Sequence, residues 1–153
     1  MSRLETRIPP ILWWAWGALV VLLVDESFGD DFAEGWGIIV GVLLLGAGVA
    51  LSLRAFGAFS RAETTFDPHD PTSATTLITD GVYRFSRNPM YLGMMLLLLG
   101  WGLWRGSIIA GLLGSATFVA LVTRFQVVPE ERALAENFGD EYTAFTASTR
   151  RWI

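Results

Sequence analysis

The stretch Gly81-Val82-Tyr83-Arg84-Phe85-Ser86-Arg87-Asn88-Pro89-Met90-Tyr91-Leu92-Gly93 brings two arginines, two tyrosines and an amide to the start of an apolar run. Pro89 steers Asn88 out of the helical region and suits the first turn of a helix. A helix beginning there offers free backbone N–H groups, and the guanidinium groups of Arg84 and Arg87 add donors beside them. Such a site suits an anionic group. The competing reading is a plain arginine anchor at a membrane surface, with interfacial tyrosines.

A second polar stretch runs from Pro129 to Phe145 and opens Pro129-Glu130-Glu131-Arg132. Pro129 is expected to open a helix, which puts Glu130 and Glu131 in its first turn. Carboxylates are favoured there by the helix dipole alone, so the pair by itself implies no site. Gly139 is expected to end this helix and Asp140 to cap the next, with Leu134, Phe138, Tyr142 and Phe145 facing inward. The two stretches flank apolar segments linked only by Arg105-Gly106-Ser107, a connection short enough to require a helical hairpin. Both therefore emerge on one side. Their charges can hold a zwitterion by its two ends, arginine at the carboxylate and glutamate at the ammonium.

The elements that position these residues are membrane-spanning. Of the 153 residues, 52% are hydrophobic and only 17% charged, and the charges fall in short stretches between long apolar runs. A bilayer core needs about 20 apolar helical residues. Four segments approach that length: residues 8–24, 36–53, 90–104 and 107–128. The first begins with Trp13, Trp14 and Trp16, as at an interface; Gly37, Gly41, Gly46 and Gly48 give the second small faces for close helix contact, and permit a homodimer. The third, at about 22 Å, is short. Ten of the eleven arginines lie outside the hairpin link, at the N-terminus, in the 54–89 loop and in the tail; Arg105 stands alone. The gap between the first two segments holds Asp25, Glu26, Asp30, Asp31 and Glu34 instead. Both termini and the long loop are thus expected in the cytoplasm, at a bacterial inner membrane. A cleaved signal peptide is the rival reading of the first segment, but no small-x-small site follows Val24.

The expected fold is an all-α integral membrane bundle of about four transmembrane helices with a C-terminal cytoplasmic helical segment. It is read as a single domain over 1–153: two anchoring helices within 1–53, a cytoplasmic loop at 54–89, the hairpin at 90–128 and the C-terminal segment at 129–153. The net charge of −4 offers no basic stripe for nucleic acid. With no cysteine there is no thiol chemistry, and His69, the one histidine, has no partner ligands at metal spacing, so no metal is expected. The stretch from Glu63 to Thr76, rich in Thr, Pro and Asp, is expected to be a surface loop or partial lid.

Taken in order, Gly81-x-Tyr83-Arg84-x-x-Arg87-Asn88-Pro89-Met90-Tyr91-x-Gly93, a helical hairpin, Glu130-Glu131-x-x-Leu134-x-x-x-Phe138-Gly139-x-x-Tyr142 and a terminal Arg151-Trp152-Ile153 resemble the isoprenylcysteine carboxyl methyltransferase and phospholipid methyltransferase superfamily. The resemblance covers residues 79–153. It implies S-adenosylmethionine as cofactor, in a pocket to which Arg87, Asn88, Pro89, Tyr91, Glu130 and Glu131 correspond. Tyr83 or Tyr91 would then lie near the sulfonium, and Arg84 would join Arg87 as a donor. Arg87, Glu130 and Glu131 are the candidate catalytic residues. Asn88 stands where the isoprenylcysteine branch usually has histidine, which points away from a prenylated cysteine and toward another lipid-like or amphiphilic acceptor. Gly100-Trp101-Gly102 is similar to a Gly-x-Gly cofactor motif but lies at the far end of its helix, where packing is the expected role. Two further readings remain: a sterol-reductase-like enzyme using NADPH, and a non-catalytic membrane scaffold.

Overall fold

The computed structural model describes residues 8–28, 35–61 and 75–153. Arg3, Arg7, Asp30, Asp31, Glu34, His69 and residues 63–74 of the expected lid lie outside them. The described chain is helical: α1 (Pro10–Phe28), α2 (Trp36–Arg61), a 3-10 turn (Gly81–Arg84), α3 (Pro89–Trp104), α4 (Ile108–Val122), a π turn (Thr123–Val127) and α5 (Val128–Ser148). No strand occurs among the described residues.

The chain is an all-α membrane bundle. Two stretches are long and apolar enough to cross a bilayer unaided, Trp36–Arg61 and the continuous helix that starts at Ile108. On α2 the exposed side chains include Ile38, Ile39, Val42, Leu43, Val49, Leu53 and Phe56. A soluble fold would hide such a face, whereas lipid solvates it. α3, at 16 residues, rises only about 24 Å.

α3 lies at the centre, packed on α2 along one side and on α4 along another, while α1 runs mainly against α4. Without a hydrophobic drive between helices in lipid, close approach of small residues supplies the contact. Gly48 meets Gly93 and Gly41 meets Gly100, an antiparallel pairing with both spacings equal. A Cβ placed on Gly48 would stand 2.8 Å from the Gly93 carbonyl oxygen, and one on Gly100 2.8 Å from that of Gly41. Gly102 abuts Gly111 across the hairpin, so Gly100 and Gly102 sit in packing contacts on opposite neighbours. Gly17 meets Gly114 between α1 and α4. Gly46 instead faces open space.

The hairpin link works as its composition requires: Gly106 takes φ +99, and Ser107 caps α4 by accepting from the Ala110 N–H at 3.2 Å. α1 is tied at both ends to residues 80 positions later. Trp14 Nε1 donates to the Met94 carbonyl at 3.0 Å, and Arg105 Nε donates to Asp25 at 2.7 Å. The isolated far-side arginine is therefore ion-paired.

Two boundaries differ from the sequence reading. α2 continues to Arg61, eight residues into the segment read as a loop, because Ala55, Ala58 and Phe59 carry the apolar period past Arg54 and pack on Ile78, Tyr83 and Phe145. Pro129 does not open a separate helix: the chain runs on from α4 through the π turn into α5. Gly139, at φ +49 and ψ −116, leaves the helical region and separates two helices within α5, as expected.

The glycine pairings predict that Gly48→Val and Gly100→Val each lower stability by about 1–3 kcal/mol through overpacking. Gly46→Ala should be neutral or slightly stabilising. Unfolding of the purified variants in mixed micelles checks both.

Candidate functional site

One end of the bundle gathers the start of α1, the end of α2, the start of α3 and the passage from α4 to α5. Pro89 occupies the first turn of α3, with Asn88 as its N-cap in a non-helical conformation. The Asn88 side chain makes no cap bond. Its Nδ2 donates instead to the Arg151 carbonyl at 3.0 Å, and its N–H donates to Ser86 Oγ at 3.1 Å. The Arg87 N–H donates to the Arg150 carbonyl at 3.0 Å. The Arg87 N–H and the Asn88 side chain are thus taken up by the C-terminal residues, which return across the start of α3. Trp152 follows them into the apolar core.

The adjacent glutamates have different surroundings. Neighbouring residues on a helix point about 100° apart, so Glu131 turns to the returning tail and Glu130 to α3. Glu131 accepts two bonds from Arg151, Nε at 3.0 Å and Nη2 at 2.7 Å, the bidentate geometry that arginine favours. Arg87 Nη1 lies 3.3 Å from the same carboxylate. Arg87 and Glu131 therefore face each other directly. The Glu131 bond holds the Arg151 guanidinium above its usual range despite opposing burial. Arg87 Nε is buried without a hydrogen-bond partner.

Glu130 lies just past the apolar span and accepts two short bonds at one oxygen. Tyr91 Oη donates to Oε1 at 2.7 Å, and Gln126 Nε2 donates to it at 2.7 Å. Oε2 takes no part in either bond. Burial pushes the Glu130 carboxyl up to about 7, Glu131 adds to the rise, and the two donors oppose it. Tyr83 is buried between α2 and α5, edge-on to Phe59. Burial, reinforced by the Glu130 charge, raises its phenol far above the ordinary value.

Among the expected site residues, the structure brings Arg87, Asn88, Pro89, Tyr91, Glu130 and Glu131 together, with Tyr83 adjoining. Arg84 does not join them. It is exposed and lines a separate open groove of about 510 Å³ with Thr79, Glu141, Phe145, Ser148 and Thr149. Gln126 and the pairing role of Arg151 were not foreseen. The available signal for Gln126 was an amide in an apolar run, four residues before a glutamate and so one helical turn from it.

The raised Glu130 carboxyl makes stability depend on pH. The folded chain retains a proton that the unfolded chain releases between about pH 4.5 and 7, so stability falls as pH rises through that window. The loss is at most about 3 kcal/mol. Glu130→Gln should abolish the slope, as read from melting temperatures at pH 5 and 7.5.

Comparison with known proteins supplies the lineage. A protein of Haemophilus influenzae (strain ATCC 51907 / DSM 11121 / KW20 / Rd), described only as uncharacterized, is 42% identical over 64 residues, which are all of that protein and 42% of this chain. A family model described as phospholipid methyltransferase matches residues 36–141. That span runs from the first residue of α2 past the Gly139 kink and includes Arg87, Tyr91, Gln126, Glu130 and Glu131, while Arg151 lies beyond it. By that match the chain belongs to the phospholipid methyltransferase family, methyltransferases of lipid-like substrates.

Proposed function

We propose that the protein transfers a methyl group from S-adenosylmethionine to a lipid-like or amphiphilic acceptor at the cytoplasmic face of a bacterial inner membrane. The observation that carries this reading is the Glu130 carboxylate, held at one oxygen by Tyr91 and Gln126 while Oε2 stays outside those bonds. The donor set suits the cofactor's amino-acid end, which bears an ammonium and a carboxylate. Arg87 keeps one buried donor unpaired at Nε, and leaving such a donor unsatisfied costs about 1–3 kcal/mol. An anionic group placed there removes that cost. Glu130 meets the cationic part, and Tyr91 with Tyr83 supplies aromatic wall beside it. Bound there, S-adenosylmethionine supplies an electrophilic methyl group on a sulfonium.

The residues of the chain contribute mainly positioning. Asn88 and Ser86 hold the tail, the tail presents Arg151, and Arg151 shares Glu131 with Arg87. Glu130, with a carboxyl near 7, meets the ammonium only once ionised, so the rate falls toward acid pH. The acceptor's tail lies among the exposed apolar helices and its reactive group at the polar end. The arginine-rich ends of the chain orient that end toward the cytoplasm.

Incubation with methyl-labelled S-adenosylmethionine and a total membrane lipid extract should label one lipid-like product. Glu130→Gln and Arg87→Ala should each lower the rate at least about tenfold, a loss typical of a removed acid–base or positioning group. Absence of cofactor binding by calorimetry, together with ligand-independent melting, would refute the proposal. A larger thermal shift with NADPH would favour a reductase; no response to either cofactor in the wild type or in these variants would favour a scaffold.

A further inference from the structure

Ala110, Gly114, Phe118, Val122 and Gln126 are all buried and follow one another at intervals of four, with Glu130 next in the series. In a regular α-helix each such step carries the side chain about 40° further round, so the series drifts off any one face. The π turn alters this: its closing bond runs from the Val128 N–H to the Thr123 carbonyl, five residues back. The wider turn takes up the drift between Val122, Gln126 and Glu130. Pro129 is the physical cause. It has no N–H for the carbonyl four residues back, and its ring would crowd that carbonyl in a regular helix. A turn wider by one residue passes the proline without breaking the rod.

We propose that Gln126 is the positioning residue of Glu130: the π turn holds its amide against Oε1, and with Tyr91 it fixes the carboxylate so that Oε2 is the oxygen that meets a proton-bearing or cationic ligand group. Only the catalytic consequence rests on the methyl-transfer reading; the setting of Glu130 belongs to the chain itself. The groups facing Glu130 are Tyr91 from α3, Tyr83 from the 3-10 turn and Glu131 from its own helix, with Arg87 engaged beyond Glu131. Burial and Glu131 favour the protonated carboxyl, whereas the Gln126 and Tyr91 donors favour the carboxylate. Removing the Gln126 donor therefore raises the proton affinity of Glu130 and frees the carboxylate to rotate.

The test is an infrared pH titration of the purified, cofactor-free protein in lipid nanodiscs, with Glu130→Gln identifying the carboxyl band. The wild type should titrate near 7, and Gln126→Leu should move the midpoint up by about one unit. Gln126→Glu, which keeps the size and adds a like charge, should move it in the same direction and serves if the leucine variant fails to fold. An unmoved midpoint in both overturns the proposal. In methyl-transfer assays the acidic limb of the Gln126→Leu profile should shift in parallel, and a deficit should remain on the alkaline plateau, where the carboxylate is ionised but no longer held. A profile lowered with its acidic limb unmoved would mark Gln126 as packing only and overturn its positioning role. A midpoint shifted in the Gln126 variants, with no methyl transfer by the wild type, would retire the methyl-transfer reading and leave the Gln126 assignment standing.

Discussion

Glu131 carries one negative charge and meets two guanidinium groups, and the order of the site end follows from that imbalance. A carboxylate removed from water needs a partner, and a partly buried arginine needs one as much. By taking bonds from Arg151 and standing beside Arg87, Glu131 joins the start of α3, the first turn of α5 and the last residues of the chain. The backbone contacts of Arg150 and Arg151 with Arg87, Ser86 and Asn88 are the local consequence. Glu130 points about 100° further round the helix, toward α3, where Tyr91 and Gln126 hold it.

The depth of that end is set by glycine. Because Gly93 and Gly100 bring α3 close to α2 while Gly102 brings it close to α4, the short central helix has no slack along its length. Tyr91 sits two residues beyond Pro89, so its reach to Glu130 depends on that register. The glycines and the carboxylate are two parts of one dimension: the axial position of α3 relative to the passage from α4 to α5.

Much of this was legible in the chain. The apolar runs, the Arg105-Gly106-Ser107 link and the paired polar stretches announce a membrane bundle whose hairpin ends share one side. Resemblance of the Arg-Asn-Pro-Met-Tyr and Glu-Glu motifs pointed to the family that the comparison shows. What stayed hidden is angular. Sequence places Glu130 and Glu131 in one turn, but which meets arginine depends on helix phase, and a π turn shifts that phase. Arg84, three residues before Arg87, looked equivalent to it, yet the 3-10 turn directs it to another groove. The extension of α2 past Arg54 was masked because a single charge ends an apolar run without ending a helix. Small clusters such as Ala55 and Ala58 bury little area and signal weakly, although their contacts carry the helix onward.

The two ties of α1, Trp14 to Met94 and Asp25 to Arg105, each bridge 80 residues. During synthesis at about 5–20 residues per second, α1 is therefore made roughly 4–16 s before either partner exists. Its principal neighbour, α4, is made later still. Among the described helices, α1 thus waits longest for its partners, whereas α2 packs on α3, the next long helix to be made.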